Sequence, residues 1–119
     1  MRFPISSNKQ KKLSVRWPLV VRRVQGHSMV PVLPPGTTVL GLRWFKKLKA
    51  GDVIIFFHDG KEKLKRVSEI DIGKDKLYVI GDHSEASTDS RHYGWIDKPQ
   101  VIARVIRPHV KRVDPETQK

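Results

Sequence analysis

Ser28 follows Gly26-His27 and precedes Met29-Val30-Pro31-Val32-Leu33-Pro34-Pro35-Gly36. A small flexible residue ahead of a hydroxyl and a stiff segment behind it suit an exposed, rigidly aimed nucleophile. The same residues also suit a Pro/Gly-rich connector whose Ser caps a turn, and by themselves they favour the connector. A nucleophilic Ser needs a base, and the chain offers five His: His27, His58, His83, His92 and His109. His27 is a poor partner for Ser28, because neighbours on an extended chain point to opposite faces. His83 and His92 share a polar loop with Asp82 and Asp89, so the parts of a Ser-His-Asp triad are present there. A His-carboxylate metal site in that loop is the weaker reading, since no His-x-x-x-His spacing occurs. With no Cys in the chain, thiol catalysis, disulfides and Cys-ligated metals are excluded. No metal and no cofactor are expected.

A Lys can stand in for the His. At its ordinary pKa of about 10.4 it is no base near neutrality, but burial disfavours the ammonium and can bring the value down to roughly 7–8. Lys65 lies between Leu64 and Val67 in a strand expected to pair with Val53–Phe57, whereas most other Lys residues lie in polar runs or turns. Residue type alone still allows Lys65 to be one more solvated strand Lys.

The elements that would position these groups are mostly strands. Trp17–Gln25 reads as a first strand, with Pro18 at its start or on an edge, and an edge strand can pair with an extended peptide. Thr37–Phe45 is rich in β-branched and aromatic residues and reads as a second strand. Val53–Phe57 is a continuous apolar run, expected to be a strand buried on both faces. His58-Asp59-Gly60-Lys61 is a hairpin turn, and Lys63–Ile70 is the return strand. After a turn around Gly73 come a short strand, Leu77–Ile80, a long polar loop, 82–93, and a last strand, Val101–Ile106. Loops as long and polar as 82–93 are often functional. No internal repeat and no long amphipathic helix is evident. Six or so short strands predict a mainly β domain with little helix, a compact folded sheet or partial β-barrel.

At 119 residues the chain is one domain with a modest core. Residues 1–16 form a basic arm without an acid, 17–107 the β domain, and 108–119 a polar tail. The net charge of +12 favours acidic partners such as nucleic acid, anionic lipid or acidic protein. The longest apolar run free of Pro, Val53–Phe57, has five residues, against roughly 20 for a membrane span. No transmembrane anchor is therefore expected. The location expected is the cytoplasm or the periphery of a membrane, with the arm and Trp17 available for contact with anionic lipid.

Four boxes occur in order: Ser-Met-x-Pro-x-Leu-x-x-Gly at 28–36, Gly-Asp-Val at 51–53, Lys-Arg-Val at 65–67, and Gly-Asp-x-x-x-x-Ser-x-Asp-Ser-Arg at 81–91. The chain resembles the type I signal peptidase family of Ser/Lys-dyad endopeptidases over about Val20 to Ile106. The resemblance implies a folded sheet of the signal-peptidase catalytic type. It implies Ser28 as nucleophile and Lys65 as the general base that later protonates the leaving amine. Ser87 would orient the Lys65 amine through a hydrogen bond. Asp89 and Arg91 would form an ion pair behind the dyad, and Ser90 would help hold that loop. The Ser28 N–H would be an oxyanion donor. Substrate would lie extended between about Val21–Gln25 and Glu62–Leu64, with Val24, Gln25, Met29 and Leu64 as substrate-binding candidates. The partner implied is a protein or peptide with small residues at the first and third positions before the cut.

The chain departs from the family in three respects. The family's additional Ser hydroxyl two residues before the nucleophile is replaced by Gly26. His83 stands where Asn is usual after Gly-Asp. The domain lacks a large β insertion, and in size it is similar to the short relatives that trim the leader of nickel superoxide dismutase. Two other functions remain open on the residues: a self-cleaving repressor-type Ser/Lys domain, and a non-catalytic basic β-domain on nucleic acid. The first lacks room for a helix-turn-helix in residues 1–16, and the second lacks an aromatic RNA-binding box, so nucleic acid is not the expected partner.

Overall fold

The computed structural model describes residues 17–109. The expected basic arm and most of the polar tail lie outside the described residues. The described chain forms one open antiparallel sheet, with strands β1 (Leu19–Arg23), β2 (Thr38–Leu42), β3 (Val53–His58), β4 (Lys61–Asp71), β5 (Lys76–Ile80), β6 (Ile96–Asp97) and β7 (Val101–Arg107). Their order across the sheet is β1-β2-β7-β3-β4-β5-β6. The mainly β expectation therefore holds, with the sheet open rather than closed into a barrel. The only α-helix among the described residues is the one-turn α1 (Ser90–Tyr93).

β3 is central because its sequence has no polar face to give to water. Val53 and Ile55 join one core cluster with Val24, Met29, Leu33 and Val39. Ile54 and Phe56 join a second, with Leu48, Val67, Leu77, Val79 and Ile96. Alternation along one strand thus serves two cores on opposite faces. The expected burial of the whole run fails at its end, where Phe57 is 50% exposed. There β3 runs out towards the hairpin and has no layer above it. Asp59 and Gly60, with φ of 54° and 76°, form the two-residue turn, as the Asp-Gly pair requires. Ile54 then faces Lys65 across the ladder and Ile55 faces Leu64.

The loop 24–37 is pinched at its base. Val24 N–H donates to the Thr37 carbonyl at 2.8 Å, and Gly36 N–H to the Val24 carbonyl at 2.9 Å. Gly26 and Gly36 both have positive φ, 76° and 90°, which any side chain would strain. Inside the loop, Val30 N–H bonds the His27 carbonyl and Leu33 N–H the Met29 carbonyl. Met29 and Leu33 are buried and anchor the turn in the first core. Ser28, between an exposed His27 and the anchor Met29, is held half-buried.

β4 carries a second constraint. Arg66 is 2% exposed, and its guanidinium forms a bidentate pair with Asp82, Nε–Oδ1 and Nη2–Oδ2 both 2.8 Å. Its Nη1 also donates to the Gly51 carbonyl at 2.8 Å. A fork of donors matched to a carboxylate is the geometry in which a buried charge survives. Asp82→Ala is expected to cost about 3–5 kcal/mol, because it strands a buried guanidinium. Lys76→Ala, which opens the exposed Lys76–Asp97 pair, is expected to cost under about 1 kcal/mol. Urea unfolding of the two variants measures the contrast.

Candidate active site

Ser28 and Lys65 line the same cleft, a cavity of about 430 Å³. Its floor includes Val24, Met29, Val39 and Ile55 from the first core, and its walls include Gln25, Leu64 and Thr88. All four residues expected to touch substrate (Val24, Gln25, Met29 and Leu64) therefore border the cavity that holds the two candidate reactive groups. Among the described residues no histidine lines it. The parts of a Ser-His-Asp triad are engaged elsewhere: Asp82 pairs with Arg66, and Asp89 with Arg91. Among the described residues no three His, Asp or Glu side chains gather as a cation site.

The environment of Lys65 is set by its strand. It is 7% exposed, and among the described residues its amine has no hydrogen-bond or ion-pair partner. Burial pushes its ammonium below the ordinary lysine value. The Asp89 charge opposes this shift, while the positive charges of Lys63 and Arg91 add to it. A neutral amine is the form that can accept a proton. Lys63, two residues back and on the same face of β4, is held over the Tyr93 ring with its ammonium 4.7 Å from the centroid. Tyr93 also stacks on His58 at 4.2 Å, and burial, with help from Asp89, pushes its phenol up to about 12.

Behind the cleft sits Asp89, 0% exposed. Its Oδ2 accepts from Gly81 N–H at 2.7 Å, Ser87 Oγ at 2.6 Å and Arg91 Nη2 at 2.5 Å. Its Oδ1 accepts from the Arg91 N–H at 3.1 Å and Arg91 Nε at 2.9 Å. Burial opposes ionisation here, but the bonds from Arg91, Ser87 and Gly81 outweigh it and hold the carboxyl well below the usual carboxylate range. Asp89 is also the N-cap of α1, where a negative side chain satisfies free N–H groups. Ser90, the next residue, accepts from Val79 N–H at 2.8 Å and ties α1 to β5.

Ser87 departs from its expected role. Its hydroxyl gives its proton to Asp89 and makes no hydrogen bond with Lys65. A buried carboxylate is the stronger acceptor and takes the one proton the hydroxyl can donate. Gly81 explains how closely these parts are packed. A Cβ there would lie 2.7 Å from the Ser28 carbonyl oxygen and 2.6 Å from Ser87 Cβ, so no larger residue fits. The same Ser28 carbonyl accepts from His83 N–H at 2.8 Å. The Gly81–His83 segment thus fixes the Ser28 backbone from one side while the buried Met29 fixes it from the other.

Sequence reasoning missed Arg66 and Asp82. Both stand inside the quoted boxes, next to Lys65 and Gly81, yet a charged residue in a strand or a polar loop reads as solvated. Their signal was the recurrence of Arg and Asp beside the residues of interest.

The Asp89 carboxylate makes a prediction about acid. Its folded pKa lies below the unfolded value of about 3.9, so its contribution is complete above that value and is lost as pH falls toward the folded one. Asp89→Asn is expected to lower stability at neutral pH by roughly 2–3 kcal/mol and to flatten the loss below about pH 4. Urea unfolding at a series of pH values checks both.

No curated protein matches the chain. The family model of signal peptidase, peptidase S26, matches residues 59–110. That span runs from the β3–β4 turn through β7 and contains Lys65, Ser87, Asp89, Ser90 and Arg91, while Ser28 lies upstream of it. At family level this supports a signal-peptidase-like serine protease. Among the described residues no helix is long and apolar enough to cross a membrane. Over residues 59–110, within its mainly β sheet, the chain is similar to the signal peptidase, peptidase S26 family.

Proposed function

We propose that the protein is a serine endopeptidase using Ser28 as nucleophile and Lys65 as general base, and that it removes leader segments from protein substrates after small residues. The observation that carries this reading is the shared cavity of Ser28 and Lys65, with the amine buried, unpartnered and pushed below its ordinary pKa.

In the first step the neutral Lys65 amine takes the Ser28 Oγ proton as Oγ adds to the substrate carbonyl carbon. The Ser28 N–H has no hydrogen-bond partner among the described residues and is free to donate to the developing oxyanion. Gly26 supplies no side-chain donor. The Lys65 ammonium then gives its proton to the departing amine, leaving an acyl-Ser28 ester and a neutral Lys65. In the second half a water gives its proton to Lys65 as its oxygen attacks the ester, and Lys65 returns that proton to Ser28 Oγ.

Asp89 and Arg91 act at a distance from the substrate. They hold Ser87 and Gly81, which in turn bound the space behind Ser28. Ser87 keeps lone pairs after donating to Asp89 and so can act on Lys65 only as an acceptor. A substrate strand between β1 and β4 would meet the small apolar floor of Val24, Met29 and Ile55, which suits small side chains near the cut.

Cleavage of peptides with Ala at the first and third positions before the scissile bond tests the assignment. Ser28→Ala and Lys65→Ala are each expected to lower kcat/KM by at least about 1,000-fold; wild-type rates in both variants would overturn the dyad. The wild-type kcat/KM is expected to rise with pH, as Lys65 loses its proton, with a midpoint below about 10.4. A rate that follows free lysine, or falls through that range, would contradict a depressed amine.

A further inference from the structure

β1 and β4 are not neighbours in the sheet; β2, β7 and β3 lie between them. Even so, Arg22 on β1 and Glu62 on β4 form a bidentate ion pair, Nε–Oε1 2.7 Å and Nη2–Oε2 3.0 Å. The sheet therefore curls until its edge strand faces β4, and this pair bridges the gap. Both residues line the cleft that also holds Ser28 and Lys65. The bridge crosses the trough in which an extended substrate would lie.

Its place along that trough follows from strand geometry. Glu62 precedes Lys65 by three residues, about 10 Å along β4. An extended peptide advances by the same rise, so its reacting residue and its third neighbour upstream span that distance. For a substrate strand running parallel to β4, the bridge meets about the fourth residue before the cut. The charges there are unbalanced: besides Lys65, the cleft carries the cations Arg22, Arg23 and Lys63 and the single anion Glu62. Both bridge side chains are more than a third exposed, so the pair is weak and exchanges partners at little cost.

We propose that Arg22 and Glu62 form a specificity bar, at which an acidic side chain about four residues before the cut displaces Glu62 and takes Arg22 as its partner. The proposal rests on the endopeptidase reading and takes the substrate strand parallel to β4, but the recognition itself needs no chemistry. A carboxylate enters a fork of donors already aimed across the cleft. A Lys or Arg at the same place meets three cations and leaves the bar shut. Small residues nearer the cut and an acidic residue at the bar together define the class of leader the cleft accepts.

Binding separates this from the catalytic reading. Fluorescent peptides with Ala at the first and third positions and Asp, Ala or Lys at the fourth are titrated onto Ser28→Ala protein at low salt. The Asp peptide is expected to bind about fivefold more tightly than the Lys peptide, with the margin shrinking as salt rises. Adding Arg22→Gln is expected to erase the preference. Adding Glu62→Gln, which removes the competing carboxylate, is expected to tighten the Asp peptide further. Equal binding of all three peptides, or a preference that survives Arg22→Gln, would overturn the proposal. Cleavage by wild-type protein, read in parallel, judges the peptidase reading on its own.

Discussion

A buried carboxylate with no water around it has to be surrounded by donors, and Asp89 meets that demand with five hydrogen bonds drawn from three directions. The donors are the end of β5 at Gly81, the loop at Ser87, and the first turn of α1 through Arg91. Desolvation works against the charge on Asp89, and the donors outweigh it. The charge is thus costly to bury, and its donors tie the end of β5, the polar loop and α1 together. The loop in turn reaches Ser28, because Gly81 lies against the Ser28 carbonyl and His83 N–H bonds it.

β4 divides two opposite electrostatic tasks between adjacent residues. Lys65 and Arg66 are neighbours, so their side chains leave the strand on opposite faces. Arg66 enters a prepared socket of Asp82 and the Gly51 carbonyl, where a permanent charge is satisfied. Lys65 enters the cleft, where none of the described residues pairs with it and the ammonium is disfavoured. Arg cannot lose its proton at accessible pH and Lys can, so the order of the two residues matters. Exchanging them would bury an unsatisfied permanent charge in the cleft and leave a single ammonium facing a fork built for two parallel bonds.

What could be read from the sequence was whatever rested on local rules. The Asp59-Gly60 hairpin was legible because a two-residue turn needs positive φ at both positions. β3 was legible because five apolar residues in a row cannot face water. The loop at Ser28 was legible from its Gly and Pro residues, and Lys65 from its apolar neighbours and the order of the four boxes. Features that depend on the curvature of the whole sheet were not. The Arg22–Glu62 bridge joins residues 40 apart in sequence, and no pattern in either strand announces it. β6 is only two residues long and was hidden in the polar stretch before β7. The one-turn α1 was hidden because its signal is the capping box of Asp89 with His92, which is no hydrophobic period. Ser87 is a different case. The resemblance implies a hydrogen bond with the Lys65 amine, whereas in the structure its hydroxyl proton goes to Asp89 and its lone pairs are left to accept.

On the proposed reading, the cleft has to satisfy two opposed needs. Lys65 must be dry to stay neutral, yet the cavity must admit a peptide. A partly open cleft leaves water near the amine and limits how far its pKa falls. An extended peptide laid against β1 and β4 would expel that water, and the free N–H and carbonyl groups of the edge strand would pair with its backbone. Desolvation would then deepen when substrate arrives, and the base would be strongest in the complex that uses it. The same closure strengthens the pull of Asp89 as well as the push from Lys63 and Arg91, since charges interact more strongly as water leaves. Lys63 and Arg91 thus work with desolvation, and Asp89 against it, in setting the charge of the Lys65 amine.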